Sequence, residues 1–271
     1  PGSSLTMLNG ALIGPGNKGR GICAVGAEVI CHGMQISKFV DCVYLGDHSE
    51  GNTQDSRVRL IASDINADDC AVYISGNGLV SEQKTQLIVE NSTLYSQGIT
   101  IMANGSVTGN GRWGTDIQIL HSTVTSNPDN KASAVYHPQK DSTLTVYEST
   151  LTGYTSMAIK GGQVYILGST VRGMGAQQTP NPGMSGYSDT GDGIYIEANY
   201  DYEIQLTIDE SEGGQQSVIS SDNGYALQVF EPDADNVKVR IYSGTFSDEQ
   251  RAEHLAVGTV QTEKDGTYIV A

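Results

Sequence analysis

Three acids stand close together in the second half of the chain, Asp189, Asp192 and Glu197, and carboxylates in pairs are what cleavage of a glycosidic bond requires. Asp189 and Asp192 close an insertion spanning 172–192. Glu197 follows on an alternating strand and points outward beside Tyr195, which lets it share a groove with that insertion. The two aspartates are also the candidate calcium ligands, because hard cations take oxygen donors. Neither they nor Asp233 and Asp235 match an EF-hand loop or a Gly-Gly-x-Gly-x-Asp repeat, and acidic turn residues commonly bond backbone amides themselves. No cofactor is therefore expected, and calcium at Asp189 and Asp192 is the one metal these residue types would suit.

A second group could bind rather than cut. Tyr44, Tyr73, Tyr136 and Tyr195 recur at equivalent outward positions, interrupted by Thr100 and Ala158, and a tyrosine stripe offers sugar rings an apolar plane with a polar rim. The competing reading is that tyrosine favours strands and packs on its neighbours. Arg112 and the single Trp113 sit in the glycine-flanked segment 109–114, and Tyr187 lies in the 172–192 insertion; both are loops that break a regular pattern, where ligand contacts concentrate. His137 stands just before Pro138 at an inward position and reads as a buried or turn histidine, not a base.

What positions these residues is a repeated phrase: an alternating apolar strand, a short polar step often written Ser-Thr, one aliphatic residue, then a second alternating strand rich in tyrosine. Leu87-Ile88-Val89, Ser92-Thr93-Leu94 and Ile99-Thr100-Ile101 form one copy; Leu144-Thr145-Val146, Ser149-Thr150-Leu151 and Met157-Ala158-Ile159 form another. About nine copies recur at a period of roughly 20 to 40 residues, the mark of stacked supersecondary units. Propeller blades need four strands each and do not fit copies that shrink to 20 residues between Leu151 and Val171. The expected fold is all-β, a solenoid with one turn per copy whose strands, about 4.8 Å apart, build a rod on the order of 40 Å long.

Like should then stack on like. One interior column would read Cys23, Val43, Val72, Ile99, Val135, Met157, Ile194, Leu227, and its neighbour Val25, Leu45, Ile74, Ile101, His137, Ile159, Ile196, Val229. The aliphatic slot after the Ser-Thr step is filled by Leu12, Ile36, Ile65, Leu94, Val124, Leu151, Val171 and Phe246, while the eighth copy places Glu210-Ser211-Glu212 there. Residues 1–246 are expected to form the coil. Residues 247–271 are expected to form its C-terminal cap within the same unit: a short helix from Ser247, then a hairpin turned at Lys264-Asp265-Gly266. No comparable cap precedes Leu5, and Pro1-Gly2-Ser3-Ser4 carries no secretory signal, so the chain reads as part of a longer or processed protein.

Composition narrows the partners. A formal charge of −16, with 15 Lys and Arg and no basic cluster, repels nucleic acid and anionic membranes. No stretch approaches the 18 apolar residues of a membrane span. The four cysteines, Cys23, Cys31, Cys42 and Cys70, match no metal spacing. Cys23 and Cys31 read as small core residues. Cys42 and Cys70 occupy similar places in adjacent copies and are the one candidate disulfide, although aligning Tyr44 with Tyr73 offsets them by one residue.

The short strands, Ser-Thr-aliphatic steps and Asn/Gly turns resemble the right-handed parallel β-helix proteins of the pectin-lyase-like type over essentially the whole chain. Ser243-Gly244-Thr245-Phe246-Ser247 and His254-Leu255-Ala256-Val257-Gly258 also look like the final turn of β-helix domains in large bacterial surface proteins, although Thr267-Tyr268-Ile269-Val270 departs slightly from the usual Tyr-x-Val ending. That resemblance implies an extracellular module at the bacterial cell surface, acting as an adhesin or a glycan-contacting spacer, with a glycan or a host or cell-surface receptor as partner. The alternative it leaves open is a polysaccharide lyase or glycoside hydrolase using Asp189, Asp192 and Glu197. Against catalysis, Asp68-Asp69 and Thr190-Gly191-Asp192-Gly193 only faintly echo the family's galacturonan hydrolases, and their Gly-His-Gly and Arg-Ile-Lys elements are absent.

Overall fold

The computed structural model describes residues 3–46, 55–74, 84–103, 114–180, 190–198, 202–230 and 235–271. Nearly all regular structure is short strand, stacked in long parallel sheets. Strands in three columns are visited in turn. The first column runs through Ala27–Ser37, Arg57–Ile61, Thr85–Glu90, Thr115–Leu120, Thr143–Tyr147, Gly162–Leu167, Ile204–Asp209 and Val237–Ile241, each paired parallel with the next. The second runs through Asp64–Ala67, Thr93–Ser96, Thr123–Ser126, Thr150–Gly153, Thr170–Gly173, Val218–Ser221 and Gly244–Phe246. The long strands Ser3–Ile13 and Ala27–Ser37 pair with each other and begin both columns. A separate sheet, from Arg20–Ala24 through Asp41–Leu45 to Leu227–Phe230, makes the third.

The corner between the first two columns explains the Ser-Thr step. Each corner serine is buried, and its hydroxyl oxygen accepts the backbone N–H of the corresponding residue one level earlier. Ser63 accepts from Met34, Ser92 from Ser63, Ser122 from Ser92, Ser149 from Ser122, Ser169 from Ser149 and Ser217 from Ser169, at 3.0–3.3 Å. The same hydroxyls donate to the carbonyls of Ile61, Glu90, Leu120, Tyr147, Leu167 and Asp209 at 2.7–3.0 Å. Ahead of five of these serines the chain turns through a left-handed residue, Ala62, Asn91, His121, Glu148 or Gly168. Four of the five are not glycine, and such a backbone costs roughly 1–2 kcal/mol per residue. The hydroxyl ladder offsets that cost by satisfying corner amides that are shut away from water.

The ladder also corrects the eighth copy. Ser217 carries the hydroxyl and Ile219 fills the aliphatic slot, in register with Val171 below and Phe246 above. Glu210-Ser211-Glu212 belongs to an inserted turn closed by Ser211 N–H to the Gln215 carbonyl. In the third column the interior ladder reads Ile22, Val43, Val72, Ile101, Val135, Met157, Ile194, Leu227. Ile22 replaces the expected Cys23 and Ile101 the expected Ile99. The shift by one turns Cys23 outward and exposed, and it puts Ala24, not Val25, beside Leu45. Cys42 and Cys70 are free thiols one residue out of register, Asp41 being the partner of Cys70. Their sulfurs bond separately to the carbonyls of Ile36 and Val72.

At the far end Gly244–Phe246 pairs antiparallel with Thr267–Val270, which forms the expected hairpin with Gln261–Lys264. The helix expected from Ser247 is only a 3-10 turn at Ala252–His254, because Ser247 uses its hydroxyl to accept the Ser221 N–H. Replacing Ser149 by alanine strands the Ser122 amide, and stability should fall by about 1–3 kcal/mol in a denaturant titration. The exposed neighbour change Thr150→Ala should stay within about 0.5 kcal/mol.

Candidate functional site

Of the residues expected to act, only part lies in the described structure. Asp189, Arg112, Trp113, Tyr187 and Asp233 fall outside the described residues. Asp235 is exposed. Tyr44 and Tyr73 are in register and half-buried, with ring centroids 5.7 Å apart and planes 9° from parallel. The Arg20 guanidinium lies 3.6 Å above the other face of Tyr44 and is anchored by Asp41 at 3.0 Å. The stack therefore runs along the column and uses both faces of Tyr44 internally. Further along, Met102 rather than Thr100 occupies the gap, and Thr100 is buried, donating to the Thr125 carbonyl. Tyr136 and Tyr195 point away from the central core yet are only 6% and 2% exposed, so the expected open stripe ends after Tyr73.

The expected acids are buried too. Glu197 is 1% exposed and pairs with Lys160 at 2.8 Å, and the Lys160 ammonium lies 5.8 Å from the Tyr136 ring centre. A buried ion pair of this quality is a fixture of the packing. Removing one partner leaves an uncompensated charge and costs about 3–5 kcal/mol. Asp192 accepts the Tyr225 N–H at 2.8 Å, and its second oxygen has no partner among the described residues. Burial raises its carboxyl to about 6, against the pull of hydrogen bonds from Tyr225 and Thr190, with the Asp248 charge adding to the rise. Its place at the corner makes it a backbone cap, the role turn aspartates commonly take.

The side chains that do converge on open space lie elsewhere, on the outer face of the first column where the chain arrives from the third. A cleft of about 360 Å³ is lined by Lys84, Asp141, Ser142, Thr143, Gly162, Gln163, Glu203 and Gln205. Strand register builds it: Asp116, Thr143, Gln163, Gln205 and Lys238 follow one another at the same outward position on five successive strands. Lys84 donates to the Thr143 hydroxyl at 3.2 Å, and Glu203 accepts from Gln205 and Lys238, each at 2.8 Å. Hydrogen bonds from Lys238 and Gln205, together with the Lys238 charge, hold the Glu203 carboxyl below its ordinary value. Tyr165, two residues on from Gln163, donates its hydroxyl to the Gln163 carboxamide at 3.2 Å.

The cleft floor is thin. Gly162 has φ +80°, and a Cβ there would stand 2.5 Å from the Ser142 carbonyl and 3.1 Å from His137 Nε2. Behind it, the Gln139 carboxamide oxygen accepts from Thr115 at 2.7 Å and from Ser142 at 3.3 Å. His137 is fully buried, as its inward position implied, and neither ring nitrogen has a partner among the described residues. Burial, aided by the nearby Lys84 charge, lowers it to about 4 and keeps the imidazole neutral. Carboxamides, hydroxyls and two carboxylates beside one tyrosine can donate to and accept from a hydroxyl-rich ligand. Among the described residues no three His, Cys, Asp or Glu side chains gather to hold a metal. None of these cleft residues stood out in the sequence, because glutamine and threonine outward on a strand look like ordinary solvent-facing positions. Comparison with known proteins finds no family model, no curated protein and no solved structure that matches the chain.

Two buried groups give stability opposite pH slopes. His137, lowered to about 4 from an ordinary 6.5, contributes stability that is lost as pH falls from about 6.5 to 4, because the unfolded chain takes the proton first. Asp192, raised to about 6 from 3.8, does the reverse, and its stability is lost as pH rises from about 3.8 to 6. Denaturant titrations between pH 4 and 7 should show His137→Ile gaining relative to wild type toward acid and Asp192→Asn gaining toward neutrality. Each relative change should be on the order of 2–3 kcal/mol. Parallel profiles for all three proteins would contradict the assignment.

Proposed function

We propose that the chain is a right-handed parallel β-helix of about nine turns, pectin-lyase-like in architecture, displayed outside a bacterial cell as a glycan-contacting adhesin or spacer module. The observation that carries the glycan reading is the polar cleft over Thr143, Gln163 and Gln205, where carboxamides and hydroxyls repeat at strand spacing beside Tyr165. Protein–sugar contacts want that mixture of oriented donors and acceptors, and a rigid strand face presents it with little loss of side-chain freedom on binding. The strongly acidic surface suits neutral or basic glycans better than free polyanions. The return of the chain to three columns in fixed order, one level at a time, supports the coil.

One observation keeps hydrolysis as a second reading: Asp141 and Glu203 line the same cleft, so two carboxylates face one space there. A neutral-glycan array separates the two. The adhesin reading expects saturable retention without turnover, lowered about tenfold or more by Gln163→Ala combined with Gln205→Ala, each removing a hydrogen bond of about 1 kcal/mol. Retention should be within about twofold of wild type in Tyr73→Ala, since the ring stack closes on itself. New reducing ends, abolished by Glu203→Gln, would move the assignment to hydrolysis. No retention and no turnover would remove the glycan reading.

A further inference from the structure

The three columns do not end alike. At the C-terminal end the last strand of the second column, Gly244–Phe246, is covered by the antiparallel strand Thr267–Val270, and Ile241 in the first column is bridged to Leu255. The last strand of the third column, Leu227–Phe230, pairs with Ile194–Glu197 on one side and, among the described residues, with nothing on the other. Its free edge opens on a second cleft, about 300 Å³, formed between Leu227, Gln228 and Val229 and the segment carrying Asp248, Glu249 and His254.

We propose that this edge is a docking site for an extended, basic peptide strand of a partner protein, which adds to the third column as its next member. The backbone supplies the first argument. Val135, Met157 and Ile194 each donate their N–H to the following level, to the carbonyls of Ser156, Gly193 and Ala226. Leu227 is their register equivalent, so its N–H and, two residues on, that of Val229 are directed at the open edge, a ready template for strand addition. The core supplies the second. Val229 belongs to the interior ladder, where its partner Ile196 is fully buried, yet Val229 itself is partly exposed. An incoming strand with apolar side chains at alternate positions would cover it together with Leu227, as every earlier level covers the one before.

Charge selects the occupant. Exposed Glu249 stands on the far wall beside Asp248, whose carboxylate accepts the Ala226 N–H and is pushed by burial toward its neutral form, and the chain as a whole carries −16. The cations of the same wall do not cancel Glu249: the Arg251 guanidinium is engaged by Glu253 at 3.2 Å, and burial favours the neutral form of His254. Lysines alternating with apolar residues therefore match the edge in both respects, while an acidic or proline-rich segment matches neither. This surface is separate from the polar cleft over Gln163 and Gln205, and its test does not depend on glycan binding.

The probe is the hexapeptide Lys-Val-Lys-Val-Lys-Val, labelled for fluorescence anisotropy, against the same hexapeptide, of equal charge, methylated on the backbone nitrogen of its second lysine. Saturable binding of the first is expected, with affinity at least about tenfold below it for the methylated peptide, because the outward lysines of the added strand are the residues whose N–H groups face the Leu227 strand. Hydrogen exchange at the Leu227 and Val229 amides should slow on binding, and the exposed change Glu249→Lys should weaken binding several-fold with an unaltered circular dichroism spectrum. Equal affinity for both peptides, protection confined to other strands, or no saturable binding would each overturn the proposal.

Discussion

A buried backbone amide at a sharp corner has no strand to pair with, and six serine hydroxyls solve that problem one above another. Each accepts the N–H of the residue one level earlier and donates to a carbonyl two to eight residues back in its own chain. A hydroxyl is suited to this because it is donor and acceptor at once and small enough to be enclosed. Alanine would fill the space and satisfy neither group.

From that corner the rest of the architecture follows. Fixing the corner fixes the register of the strands on either side, and register decides which face every side chain takes. Leu87, Ile117, Leu144, Val164 and Leu206 then lie in line inside, while Gln86, Asp116, Thr143, Gln163 and Gln205 lie in line outside. The polar cleft is thus a by-product of stacking, with chemistry added by the residues at its edge, Asp141, Lys84 and Glu203. The third column obeys a different constraint. Its outward residues Tyr136, Ala158 and Tyr195 are covered, and Lys160 and Glu197 satisfy each other beside them. At its last strand the stacking stops with the edge unpaired among the described residues.

Much of the scaffold could be read directly from sequence, because alternating strands and a serine corner leave a periodic trace. The interior positions Val43, Val72, Val135, Met157 and Ile194 fall where the pattern places them. Sequence and structure part where the period is broken by insertion or by a slip of one or two residues. Ile22 and Cys23 are adjacent, similar in apolar character and opposite in direction, and the turn inserted before Ser217 hid the eighth aliphatic slot at Ile219. The site was much less legible. Outwardness along a strand is periodic, but exposure depends on what the remainder of the chain lays over it, so Tyr195 and Glu197 read as surface residues and are enclosed. The cleft residues leave no trace in the sequence for the converse reason, since their types are common on any solvated strand and only the register brings them together.

Amide hydrogen exchange at the corner tests the central claim most directly. If the hydroxyl ladder holds the columns in register, the amides of Ser63, Ser92, Ser122 and Ser149 should exchange only through global unfolding, with one common free energy that matches the denaturant value. Exchange of these amides through local openings, at free energies well below the global one and differing from level to level, would contradict it.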